Sequence, residues 1–169
     1  MEAIIFTDEF RRNGKAFAAL LTSLSEQEVM FRPAPEKWNL LEIVCHLLDE
    51  ERLDFRAKMR HIMERPEMEF EPIDPEGWVI SHKYSERIFV TVLDDFLNER
   101  KISLEWLKTL TEEDLEKKME HKVFGTVTVK HFLSNWLAHD YLHIRQIIGL
   151  KHSYLKTLTS TDLRYAGDW

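Results

Sequence analysis

Two histidines four residues apart, His139 and His143, lie in a stretch whose apolar residues keep helical spacing. Val129, Phe132, Leu133 and Trp136, then His139, His143, Ile147 and Leu150, follow steps of three and four, so both imidazoles share the face a helix turns to its core. Side chains four apart stand one above the other, about 5–6 Å between Cβ atoms, and two imidazoles so placed can share one metal ion. The rival reading is a pair of core histidines satisfied by hydrogen bonds, since His-x-x-x-His also arises by chance. A third histidine, His46, lies beside the apolar stripe of another helix-patterned stretch, among Glu42, Ile43, Asp49 and Glu50. Three neutral imidazoles from two helices leave coordination positions open, the pattern of a reactive site. Such ligands suit one divalent transition metal, Zn, Ni, Fe or Co. An open position there activates water for hydrolysis or stabilises a thiolate for transfer.

Glu42, Asp49, Glu50 and Asp140 are near enough in sequence to handle protons. Glu50, one turn past His46, is the candidate catalytic group, although Asp49 and Glu50 could equally form a solvated charged face. Asp140 could hold a ligand histidine by its second ring nitrogen. His61, His82, His121 and His152 read as surface residues, and His131 as the exposed start of a helix. Cys45 reads as a small buried hydrophobe. Trp38 could line a pocket mouth or simply pack, and Trp78 and Tyr84 could cover the metal or pin their loop to the body.

These residues need helices to position them. Thr7 or Asp8 can cap a first helix that carries Phe10, Phe17, Leu20, Leu21 and Leu24. Ser25-Glu26-Gln27-Glu28 is a capping-box pattern, and Asn39 with Glu42 repeats it ahead of a long helix to Glu64, closed by Pro66. A long, acidic, aromatic crossover from 67 to 84 leads to a third helix over 85–110. An extended piece at 122–127 then precedes a fourth helix, capped by Thr128 and ended by Gly149. A tail with Tyr165 and Trp169 follows. The expected fold is all-α: a four-helix bundle with a long irregular crossover between its second and third helices.

Composition narrows the function classes. With 44% hydrophobic and 31% charged residues and few Gly and Pro, the 169 residues read as one globular domain over 1–169, not a disordered or repetitive chain. Against 23 Lys and Arg stand 30 Asp and Glu, and the net charge of −7 speaks against nucleic acid as a partner. The longest apolar run, Ala16 to Leu21, is too short to span a membrane. Acids stand where a signal peptide would carry Lys or Arg, and there is one cysteine, so a cytoplasmic location is expected.

Three segments together carry a resemblance: Pro33-Ala-Pro-Glu-Lys-Trp38, Glu42-Ile-Val-Cys-His46-Leu, and His139-Asp-Tyr-Leu-His143-Ile-Arg-Gln146-Ile. The chain resembles the DinB-like superfamily of four-helix-bundle metalloproteins from the first helix to Gly149. That resemblance implies one divalent metal on His46, His139 and His143. It also implies a small-molecule substrate, since relatives of the fold include transferases and isomerases that use low-molecular-weight thiols such as bacillithiol or mycothiol. The expected function is thus a metal-dependent hydrolase or a thiol-dependent S-transferase, the alternative being a metal-stabilised binding or assembly module without enzymatic activity. Pairing through bundle helices is common in the family, and an apparent surplus of large apolar residues (Phe6, Phe10, Phe17, Phe89, Phe96 and Trp106) adds to the expectation of a homodimer.

Overall fold

The computed structural model describes residues 2–167, so Trp169 lies outside the described residues. Helix α1 (Glu2–Leu21) begins well before Thr7 and Asp8, the expected caps. No Gly or Pro stands among the preceding residues to stop the helix, and a possible cap does not force a start. Ser25 caps the short α2 (Glu26–Met30) by accepting the Glu28 N–H.

Asn39 and Glu42 close a reciprocal capping box at the next start. One helical run follows: α3 (Leu40–Asp49), a π-helical turn (Glu50–Phe55) and α4 (Arg56–Glu64). The π turn directs Glu50, Glu51, Asp54 and Phe55 inward and leaves Arg52 and Leu53 exposed. Asp49 and Glu50 are therefore buried and form no solvated face.

The crossover contains one turn of helix, α5 (Trp78–Ser81), and a 3₁₀ turn (Tyr84–Glu86). Helix α6 (Phe89–Leu107) is shorter at both ends than the spacing predicts. Lys83 takes a left-handed conformation and Ile88 an extended one, which places residues 84–88 outside the helix. At the other end the chain turns toward Thr111, which caps α7 (Glu112–Glu116) in a capping box with Asp114.

Two short antiparallel strands, β1 (Lys118–His121) and β2 (Gly125–Thr128), pair from Lys118 with Thr128 to His121 with Gly125. The expected extended piece is thus one arm of a hairpin, with Gly125 at φ +68° where the turn enters the strand. Thr128 caps α8 (Val129–Leu158) by accepting the His131 N–H. Gly149 does not end this helix. Its φ is not positive, the helix continues to Leu158, and Leu150 beyond it is buried. A mid-helix Gly costs only about 1 kcal/mol, which tertiary packing overrides.

Helix α1 packs against α6 and α8, α3 against α6, and α4 against α8, so the protein is an all-α four-helix bundle with a hairpin appended. The buried apolar residues form two clusters, one around Phe17, Ile43, Leu47 and Phe96, the other around Phe10, Met59, Leu133 and Trp136. A charged layer centred on Arg100 lies between them: its guanidinium is 5.1 and 5.8 Å from the Phe10 and Trp136 rings, and 5.5 and 6.0 Å from those of Phe96 and Phe17. Phe10, Phe17 and Phe96 are fully buried, and Phe6, Phe89 and Trp106 pack partly buried on the same clusters. Three of the six are thus covered within the chain, and the other three are covered only in part.

Candidate metal centre

α3 and α8 bring the three histidines to one point. His46 Nε2 lies 3.2 Å from His139 Nε2, and His143 Nε2 lies 3.0 Å from the same atom. The three donor atoms all fall within 4.8 Å of one another, and no carboxylate or thiol joins this group among the described residues. The His143 Nδ1–H donates to Gln146 Oε1 at 2.7 Å, which leaves its Nε2 as a lone pair facing the centre. Helix geometry makes that bond available, because Gln146 follows His143 at i+3.

The donor set fits a cation. Two nitrogens on one ion at 2.0–2.1 Å lie roughly 2.8–3.4 Å apart for bond angles of about 90–109°, and both contacts fall in that range. Without a cation, His139 Nε2 can be donor or acceptor toward one neighbour only, so the second short contact would oppose two lone pairs or two protons. His46 Nδ1, on the side of the ring away from the cluster, is buried with no hydrogen-bond partner. Burial first, then the positive charge of neighbouring imidazoles, lowers His46 to about 3 and His139 to about 2. Burial likewise lowers His143, against the Gln146 hydrogen bond. All three are therefore neutral at physiological pH, the state in which imidazole binds metal.

The cluster sits at a cavity of about 890 Å³ that opens to solvent. Its walls are Glu36, Lys37 and Trp38 ahead of α3, Ile73 to Glu76 ahead of α5, and Leu142, Arg145 and Gln146 on α8. Trp38 does both things its position allows: it lines the cavity beside His46, ring centroids 4.9 Å apart, and packs on the core.

Trp78 and Tyr84 pin the crossover and do not line the cavity. The Tyr84 hydroxyl donates to Asp49 Oδ2 at 2.8 Å, and the His82 Nδ1–H donates to the same oxygen at 2.7 Å while its ring stacks on Trp78. His82 is thus a structural residue, contrary to its surface assignment. His61 is another, buried and donating from Nε2 to the Met68 carbonyl at 2.7 Å. His121 Nδ1 accepts the N–H groups of Val123 and Phe124 and shapes the hairpin turn. His131 is exposed as expected.

Glu50 does not line the cavity. Burial, the charge of Asp54 and a hydrogen bond to Asp54 raise its carboxyl to about 8. Burial raises the Cys45 thiol to about 12, which leaves it an inert core group. Asp140 does not hold a histidine. It takes both terminal nitrogens of Arg100 and accepts from Asn13 Nδ2 at 3.2 Å. Arg100 Nε also donates to Glu51, and Glu99 holds Arg52 and Arg56 beside it. The sequence reading missed this layer. Its signal was there: Arg100 falls on the α6 stripe of Val92, Phe96, Ser103 and Leu107.

The sequence profile of the DinB superfamily matches residues 9–147. The chain belongs to the DinB superfamily. Among solved structures, this DinB chain is similar to YfiT from Bacillus subtilis, described as a probable metal-dependent hydrolase with an unusual four-helix bundle topology. The two are 14% identical over 89% of this chain and 86% of that one, with a TM-score of 0.78. It is also similar to a conserved protein from Enterococcus faecalis, 17% identical over 90% of this chain and 96% of the other, with a TM-score of 0.66. At these identities the likeness is one of fold. No curated protein matches the sequence. No helix among the described residues is long and apolar enough to cross a membrane.

Proposed function

We propose that this DinB-superfamily chain is a metal-dependent enzyme, with His46, His139 and His143 holding one divalent ion and the cavity above them taking a small-molecule substrate, and that the reaction is hydrolysis. The supporting observation is the convergence of three neutral Nε2 atoms at the wall of an open cavity. A divalent ion there supplies Lewis acidity and activates a nucleophile near neutral pH. The chain's own part is to fix the three rings, through Gln146 on His143 and the packing of Trp38 and Phe55 on His46 and His139. Glu50, the candidate catalytic group, turns its carboxyl to Asp54 and stands outside the cavity wall, so it is given no step in the reaction. The description of YfiT favours hydrolysis over thiol transfer, which the same three histidines would also serve.

Elemental analysis of protein purified without a nickel column tests the metal centre. Near-stoichiometric zinc, nickel or iron is expected in the wild type and none in His143→Ala. Full metal content in that variant would remove the triad. A panel of ester, amide and phosphoester substrates run beside low-molecular-weight thiols then separates hydrolase from transferase.

A further inference from the structure

The cavity over the histidines has two unlike sides. Its α8 side carries Arg145 and Gln146; its loop sides carry Glu36, Lys37, Asp74 and Glu76. Their existing bonds sort these groups. Asp74 Oδ1 accepts the Gly77 N–H at 3.0 Å and so serves α5. Gln146 Oε1 accepts from His143, which leaves its amide N–H₂ to donate elsewhere. Arg32, Arg52, Arg56 and Arg100 each hold a carboxylate. Arg145, exposed at this cavity, has no ion-pair or hydrogen-bond partner among the described residues, and neither have the side chains of Glu36 and Glu76.

A guanidinium is a planar fork of donors that matches carboxylate and phosphate oxygens two at a time. Arg145 leaves α8 on a different bearing from His143, but both side chains line the same cavity, so a single small molecule in it can reach both. The loop side sets the carboxylates of Glu36, Asp74 and Glu76 against the one ammonium of Lys37, and its net negative charge repels an anion from that side. Resting on the metal-site reading above, we infer that Arg145, assisted by the Gln146 amide, anchors an anionic group of the substrate, a carboxylate or phosphate, and that Glu36 and Glu76 turn this end of the molecule toward α8. Arg145 is then the residue that sets specificity, and the substrate class is a small organic anion.

Binding of phenylacetate and of its neutral isostere phenylacetamide, measured by calorimetry on metal-free and on zinc-loaded protein, tests this without any turnover. The anion should bind about tenfold more tightly than the amide. Arg145→Gln should abolish that preference, and Glu76→Gln should tighten anion binding. Arg12→Gln, on the exposed face of α1, should leave both unchanged. A preference that persists in metal-free protein and disappears in Arg145→Gln upholds the anchor even if the metal reading fails. Equal affinities, no anion binding at millimolar concentration, or a preference seen only with zinc and indifferent to Arg145→Gln would each overturn it.

Discussion

The Arg100 guanidinium on α6 grips the Asp140 carboxylate on α8 with both terminal nitrogens, at 2.5 and 2.8 Å, one residue past His139. Burial opposes the charge on Arg100, but Asp140 and Glu51 hold it protonated. Removing one member of such a buried set strands the others. Arg100→Met should cost about 3–5 kcal/mol in urea unfolding. The triple variant Arg100→Met with Glu51→Gln and Asp140→Asn should recover part of that loss, because no net charge is then left unpaired. A triple variant weaker than the single would count against an electrostatic origin.

Glu50 gives stability a pH slope of definite sign. Its carboxyl is raised to about 8 in the fold against an ordinary value of 4.5, so the folded state holds the proton more tightly than the unfolded chain. Its contribution is full below about pH 4.5 and is lost as pH rises through about 8. Glu50→Gln should flatten the fall in urea midpoint over this window and be the more stable protein at pH 9. Parallel profiles for wild type and variant would contradict the assignment.

Metal should also register as stability. An ion that binds only the folded state adds ~4 kcal/mol at a thousandfold excess over its Kd. Adding zinc or nickel to metal-stripped protein should therefore raise the melting temperature of the wild type by several degrees and leave His143→Ala unmoved.

The crossover hangs on Asp49. Tyr84→Phe removes one of the two donors to its buried carboxylate, at a cost of roughly 1–3 kcal/mol. Residues 66–83 should then be cleaved sooner by added protease than the helices on either side, and unchanged cleavage would locate the anchor elsewhere.

A Cβ at Gly149 would meet nothing within 4 Å, and its backbone is helical. Gly149→Ala should stabilise the protein by about 1 kcal/mol in the same urea assay. A destabilised variant would mean that the glycine is there for packing.

What could be read in the sequence follows from range. His139 and His143 share a helix, and their periodicity alone placed them together. The caps at Ser25, Asn39 and Thr128 are local bonds and were equally legible. His46 needed a second helix to meet the first, so its neighbours could suggest its place but not fix it. That residues 36–38 and 73–76 close over α8 is written in no spacing, because two separate loops bring it about. The charged layer escaped for another reason. Rules that assign charges to water fail where Arg100, Glu51 and Asp140 satisfy one another, and His61 and His82 were misplaced in the same way.

The π turn at Glu50–Phe55 carries one residue more than the helix on either side of it. Each residue of an α-helix advances the azimuth by about 100°. The turn therefore works as a phase shifter: the half with His46 is aimed at α8's histidines, while the half with Met59 and Ile62 is aimed at a different part of the core. Deleting one residue between 50 and 55 would leave a sound α-helix whose two halves point along the wrong bearings. Length, more than composition, is what this stretch of chain must conserve.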